Sequence, residues 1–196
     1  LLAKKAGARV RVTELKHDSS MQEASDKLRK LGVDTETGAH TEYFIKGANL
    51  VVTSPGIPDA AKPLAWARQN RIKVIDEIEL ASWFCNSPII AVTGTNGKST
   101  TVSLIAHILK QSGKKVFLCG NIGNPFSEGV FGLDRDCIVV LEVSSFQLEY
   151  IRSFRPKVSL ILNISDNHMD RHHTLEDYRN KKKYPNPDIP DRTTCV

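Results

Sequence analysis

Short apolar and β-branched runs alternate along the chain with polar stretches whose apolar positions recur at helical spacing. Ala8-Arg9-Val10-Arg11-Val12-Thr13 predicts a first strand, and the polar stretch from about Ser20 to Leu31 predicts a helix behind it. Residues 49–53 predict another strand, ended by the breaker run Ser54-Pro55-Gly56-Ile57-Pro58. A helix over 60–69 and a short strand over 72–75 follow. β-Branched side chains suit a pleated surface, and strands that alternate with helices are the pattern of an α/β protein with a parallel sheet.

A second unit begins near Ser87-Pro88. Ile89-Ile90-Ala91-Val92 reads as a buried strand, and Thr93-Gly94-Thr95-Asn96-Gly97-Lys98-Ser99-Thr100 as a turn into a helix reaching about Gln111. Residues 115–119, 137–141 and 158–162 predict further strands, the last two almost continuously apolar, as strands covered on both faces are. Residues 174–183 predict a helix, and the Pro-rich run 184–190 predicts no element. The fold class expected is α/β: a Rossmann-like unit over 1–87, then a mostly parallel sheet over 88–196 carrying the Gly-rich loop. The opening residues, Leu1 to Gly7, read as a helix end with its Gly stop, so a strand and Gly-rich turn are expected to precede them.

Composition narrows this little. The chain has 196 residues, 40% hydrophobic and 25% charged, enough for real cores and not the composition of a disordered chain. The formal charge of +5 comes from scattered Lys and Arg, densest at Lys181-Lys182-Lys183. A solvated face or a site for small anions accounts for that charge as well as nucleic acid does, and no nucleic-acid partner is expected. Cys85, Cys119, Cys137 and Cys195 form no Cys-x-x-Cys pair, which suits free thiols in a reducing compartment. No signal peptide or apolar run of about 18–20 residues is present, so a soluble cytoplasmic protein without a membrane partner is expected.

The loop at 93–100 carries the clearest chemistry. Its glycines let backbone N–H groups curl around phosphate oxygens, the helix start adds positive partial charge, and Lys98 neutralises the outer phosphates. Gly94, Thr95, Asn96, Gly97, Lys98, Ser99 and Thr100 are thus the candidate ATP contacts, with the Ser99 hydroxyl offered to Mg²⁺. The standard spacing of such loops would put a glycine where this chain has Val92. Glu142 ends a predicted strand at the edge where open α/β sheets place ligands, and a carboxylate there suits Mg²⁺. His168 follows another predicted strand at that edge, as metal ligand, substrate contact or structural histidine. Ser144 and Ser145 are candidate caps of a helix starting at Phe146. Asp170 and Arg171 suit a local pair holding their loop. Amides of Ser54-Pro55-Gly56 suit an anion, and Asn121 is a candidate sugar or phosphate contact.

The 93–100 loop resembles the P-loop variant of the Mur ligases and folylpolyglutamate synthases. Ser54-Pro55-Gly56-Ile57, Gly120-Asn121-Ile122-Gly123, Leu141-Glu142-Val143-Ser144-Ser145-Phe146-Gln147-Leu148-Glu149 and Asn163-Ile164-Ser165-Asp166-Asn167-His168-Met169-Asp170-Arg171-His172 are also similar to Mur ligase motifs. They occur in the family's order, and the 141–149 run is similar to that of its D-glutamate-adding members. The resemblance implies ATP-driven amide synthesis for peptidoglycan precursors. The carboxylate of UDP-N-acetylmuramoyl-L-alanine takes the γ-phosphoryl group, and the amine of D-glutamate displaces the acyl phosphate.

The resemblance further implies ATP and Mg²⁺ as cofactors and Lys98, His168 and Lys182 as catalytic residues. Ser99, Glu142, His168 and Lys182 are the implied metal set. Lys182 falls on the family's Tyr-x-x-x-Lys pattern, here Tyr178-Arg179-Asn180-Lys181-Lys182, whose lysine is carbamylated into an oxygen-donor anion. Thr13, Ser54, Pro55, Gly56 and Asn121 are the implied contacts of the UDP substrate. The family continues beyond Lys183 with an apolar strand and a third domain for the amino acid. The expectation is that this chain lacks both, is a monomer and is inactive alone. Two rival readings stand beside this one: another Mur or folylpolyglutamate-type ligase, and a nucleotide-binding module without catalysis. Retention of Glu142, His168 and Lys182 together speaks against the module, since ATP binding alone needs none of them.

Overall fold

The computed structural model describes residues 1–164 and the backbone of Thr194 and Cys195. The chain divides into two compact units, Leu1–Thr53 with Ile57–Val74, and Ser54–Gly56 with Ile75–Val196. In the first unit come α1 (Leu2–Lys5), β1 (Arg11–Glu14), α2 (Ser19–Lys30), β2 (Asp34–Thr37), α3 (Glu42–Ile45), β3 (Leu50–Thr53), α4 (Lys62–Gln69) and the start of β4 (Lys73–Asp76). β1 and β2 pair in parallel from Arg11↔Asp34 to Glu14↔Thr37, and β3 pairs with β4. Asp18 caps α2 by accepting from the Met21 amide at 2.9 Å, satisfying one of the donors a helix start leaves open. The apolar pattern does not reveal β2, because its residues are polar and held by polar contacts. Ser25 and Thr35 share a hydrogen bond at 2.5 Å, and Thr13 donates toward Glu36.

The second unit contains α5 (Glu77–Ser82), β5 (Ile89–Thr93), α6 (Lys98–Gln111), β6 (Lys115–Gly120), α7 (Phe126–Gly129), β7 (Cys137–Glu142), β8 (Val158–Ile161) and β9 (Thr194–Cys195). Its strands form one sheet in the order β6-β7-β5-β8-β9, with every pairing parallel. β9 lies beyond the Pro-rich run 184–190, at residues for which no strand is predicted. Val102 and Ala106 of α6 pack on Val92 and Val140 of the sheet, with Ile105, Leu109, Val116 and Leu160 around them. Their spacing of three and four residues turns one stripe of the helix toward the strands. Where a helix starting at Phe146 was expected, only a 3₁₀ turn forms, Phe146–Leu148. Ser144 supports it, since its amide and hydroxyl donate to Gln147 Oε1 at 2.9 and 3.0 Å.

The compact units part after Val74, which leaves residues 75–87 with the second one. The reason is α5, too short for a periodic signal yet anchored in the second unit. Ile78 and Glu79 are fully buried. The Glu79 carboxylate accepts from the amides of Arg152, Ser153 and Phe154 at 2.9–3.0 Å, from the Ser153 hydroxyl and from Trp83 Nε1. Burial alone would raise this carboxyl, but the Ser153 hydroxyl, the Arg152 and Ser153 amides and the indole together hold it below the usual range. Among the described residues no helix is long and apolar enough to cross a membrane, and Cys85, Cys119 and Cys137 are free thiols.

Asp76, which caps α5 by accepting from the Glu79 amide at 2.7 Å, behaves in the opposite way. Burial pushes its carboxyl up to about 7, Glu77 and Glu79 adding to the effect against the Glu79 amide bond. Its Oδ2 is buried with no partner among the described residues. An acid with a raised folded pKa keeps its proton where the unfolded chain has lost it. Its contribution to stability therefore falls as pH rises from 3.8 to about 7. Asp76→Asn keeps the cap and removes that fall, so it is expected to stabilise the protein by about 1–3 kcal/mol at pH 8 and not at pH 4. Urea unfolding at the two pH values measures this, and equal effects at both would contradict it.

Candidate functional site

Because β5, β6, β7 and β8 run in parallel, their C-terminal ends emerge on one edge of the sheet. Glu142 is in register with Val92 on one side and Gly120 on the other, and Thr93 with Ile161. That edge is where open α/β sheets bind ligands. The expectation that the 93–100 loop leaves the end of a parallel strand is met.

The loop is shaped by two glycines. Gly94 has φ 155°, and a Cβ there would lie 3.1 Å from Leu162 Cβ and 3.4 Å from the Asn163 nitrogen. Gly97, at φ 82°, is the N-cap residue of α6 and contributes no side-chain cap. The first N–H groups of α6 therefore have no intrahelical acceptor, the property that makes a helix start receptive to an anion. Lys98 Nζ donates to the carbonyls of Gly94 and Thr95, both at 2.9 Å, so the ammonium is folded over the loop. Val92 explains the departure from standard spacing. It is fully buried in β5 and packs in the core, so the strand continues to Thr93 and the turn opens at Gly94 instead.

Glu142 is 1% exposed. Its Oε1 accepts from Asn121 Nδ2 at 2.9 Å, while Oε2 is buried with no partner among the described residues. Gly120 makes the Asn121 contact reachable. A Cβ there would lie 2.2 Å from the Glu142 carbonyl oxygen, which accepts from the Asn121 amide at 2.9 Å. A buried carboxylate oxygen without a partner is costly, and a hard cation or its water would satisfy it. The donor set of a carboxylate and the hydroxyl of Ser99, exposed on the first turn of α6, fits Mg²⁺.

The remaining candidates divide. Asn96 and Thr100 are exposed beside Ser99, and Thr95 is buried. Ser54 and Pro55 are exposed at the end of β3, with Gly56 at φ 82°. Thr13 lies inside β1 rather than in the turn after it. Its hydroxyl lies 3.0 Å from Glu36 Oε2, 3.0 Å from the Ala39 carbonyl and 2.7 Å from His40 Nδ1, so its single O–H is shared between acceptors. His168, Asp170, Arg171, Lys182 and the helix expected over 174–183 lie outside the described residues. Asn163 opens the 163–172 run quoted from the sequence, where no role was assigned to it. Its amide bonds to the backbone of Thr95 and Asn96, and only its place straight after a strand of the same sheet could have signalled that.

Residues 92–184 match the Mur ligase middle domain. Three curated proteins named UDP-N-acetylmuramoylalanine–D-glutamate ligase are similar to the chain. That of Geobacter sp. strain M21 is 44% identical over 178 residues, 91% of this chain and 39% of its own length. That of Geotalea uraniireducens is 46% identical over 176 residues, covering 90% and 39%. That of Thermoanaerobacter sp. strain X514 is 40% identical over 175 residues, covering 89% and 38%. The chain thus spans about two fifths of the length of these relatives. Among solved structures, the fold is similar to the UDP-N-acetylmuramate–alanine ligase of Thermotoga maritima, with TM-score 0.53, 23% identity, and 91% of this chain and 41% of that one covered. It is also similar to the UDP-N-acetylmuramate:L-alanyl-γ-D-glutamyl-meso-diaminopimelate ligase of Neisseria meningitides, with TM-score 0.55, 20% identity, and 98% and 65% covered. Sequence relatives, the matched domain and the parallel sheet with its Gly-rich loop agree, and the chain belongs to the Mur ligase family.

Proposed function

We propose that this chain supplies the ATP-binding part of an ADP-forming acid–amino-acid ligase, one that joins D-glutamate to UDP-N-acetylmuramoyl-L-alanine. The observation that carries the proposal is the unpartnered Oε2 of Glu142 on the edge from which the Gly94–Thr100 loop departs. The substrate pair comes from the relatives' name, at 40–46% identity.

In this reading the amides at the start of α6 bind the phosphates, and Lys98 exchanges its two carbonyl partners for phosphate oxygens. Ser99 and Glu142 would hold Mg²⁺, and by resemblance His168 and a carbamylated Lys182 would complete the metal set. When bound, the metal offsets charge on the transferring phosphoryl group. Asn121 keeps Glu142 Oε1 in place, leaving Oε2 for the cation. Ser54, Pro55, Gly56 and Asn121 contact the UDP substrate. Thr13, whose hydroxyl also bonds to Glu36, Ala39 and His40, is a further contact of the UDP substrate in this reading. The substrate carboxylate takes the γ-phosphoryl group, and the amine of D-glutamate displaces phosphate from the acyl phosphate, so ADP and phosphate leave as the amide forms. The protein acts as a monomer, with residues 1–87 as the UDP-binding and 88–196 as the ATP-binding domain.

The test is ADP release by the full-length protein given ATP, Mg²⁺ and UDP-N-acetylmuramoyl-L-alanine. Release should require D-glutamate and not occur with L-alanine or meso-diaminopimelate. Release indifferent to the amino acid would overturn the substrate assignment.

A further inference from the structure

A phosphate loop must hold its shape before the ligand arrives, and the 94–97 turn is too short and Gly-rich to hold itself. The clamp comes from the residue pair after β8. The Leu162 amide donates to the Thr93 carbonyl at 3.0 Å, carrying the β5–β8 ladder past the end of β8. Asn163 then reaches across. Its Oδ1 accepts from the Thr95 amide at 3.0 Å and the Asn96 amide at 2.9 Å, and its Nδ2 donates to the Asn96 carbonyl at 3.0 Å. Both lone pairs of the side-chain oxygen are used, and the Thr95 amide is shared with the Asn163 carbonyl at 3.1 Å. Gly94 permits this approach, since a Cβ there would press on Leu162 and Asn163.

We infer that Asn163 is a positioning residue for the nucleotide site, locking the Thr95-Asn96 peptide so that only the amides from Gly97 onward are left to meet phosphate. The inference rests on the nucleotide reading above. It also explains the side-chain type. Asp reaches equally far and accepts both amides, yet it cannot donate to the Asn96 carbonyl and it adds negative charge beside the phosphate loop. Ala makes none of the three bonds. Asn163 is solvent-exposed, so its truncation removes the clamp without opening the core.

The test is calorimetric titration of ATP·Mg²⁺ into the chain and into its Asn163→Ala, Asn163→Asp and Lys98→Ala variants, with melting temperature and amide hydrogen exchange followed in each. Asn163→Ala should weaken binding about tenfold, from the loss of two or three hydrogen bonds that order the loop. It should keep its melting temperature within about 3 °C and speed exchange at the Thr95 and Asn96 amides. Asn163→Asp should bind more weakly than Asn163→Ala at low salt, the gap closing at high salt as the added charge is screened. Unchanged affinity in Asn163→Ala, while Lys98→Ala loses binding, overturns the inference and leaves the nucleotide reading intact. Absence of binding by the unsubstituted chain overturns the nucleotide reading and the inference with it. Should Asn163→Ala fail to fold, Asn163→Asp decides, and affinity equal to the unsubstituted chain contradicts the clamp.

Discussion

Lys98→Ala is expected to lower the affinity of the chain for ATP·Mg²⁺ at least about a hundredfold, because it deletes a cation that makes more than one charge-assisted bond to phosphate. The side chain now caps the carbonyls of Gly94 and Thr95 at 2.9 Å, so the ammonium already sits over the loop and needs little reorganisation to reach a ligand. Folding should change little. Lys98 is itself only partly buried over those carbonyls, so water can take its place. Calorimetric titration of both proteins checks the pair of statements, and equal affinities would contradict the phosphate-loop assignment.

The largest stability effect is expected at Glu79. Glu79→Ala removes the acceptor of the buried Phe154 amide and of the part-buried Arg152 and Ser153 amides, while the Trp83 indole N–H keeps Ser153 Oγ at 3.0 Å, and should cost about 3–5 kcal/mol. Glu79→Gln should cost nearly as much, since one of its two acceptor atoms becomes a donor facing other donors. The pH dependence has a definite sign. The folded carboxyl lies below its unfolded value of 4.5, so its contribution is present above that pH and is lost as pH falls through the folded value. Urea unfolding at pH 7 gives the direct comparison. A loss smaller than about 1 kcal/mol would show that the 152–154 segment finds other partners.

How much of this was legible depends on what each residue packs against. β5, β7 and β8 were visible because both faces of a central parallel strand are covered, leaving unbroken apolar runs. The Gly94–Thr100 loop was visible because its chemistry demands glycines and a lysine at fixed spacing. β2 and α5 were not, one being four polar residues and the other only six residues, too few to show a helical period. For the same reason the packing of residues 75–87 with the second unit was not visible. Glu142 could be placed at the strand edge from sequence, but its orphaned Oε2 and the Asn121 bond depend on the close pass of Gly120 beside the Glu142 carbonyl. Asn163 escaped because an asparagine after a strand is ordinarily just a turn residue.

The central claim is that the loop and Glu142 form one site, in which the carboxylate holds the metal that accompanies the nucleotide. The most direct measurement is the gain in ATP affinity on adding Mg²⁺, compared between the chain and Glu142→Ala by calorimetric titration. The account predicts that metal-free ATP binds the two proteins alike. It also predicts that Glu142→Ala loses about tenfold of the strengthening that Mg²⁺ gives the unsubstituted chain, as expected for one charged ligand removed. An identical Mg²⁺ increment in both proteins would contradict it.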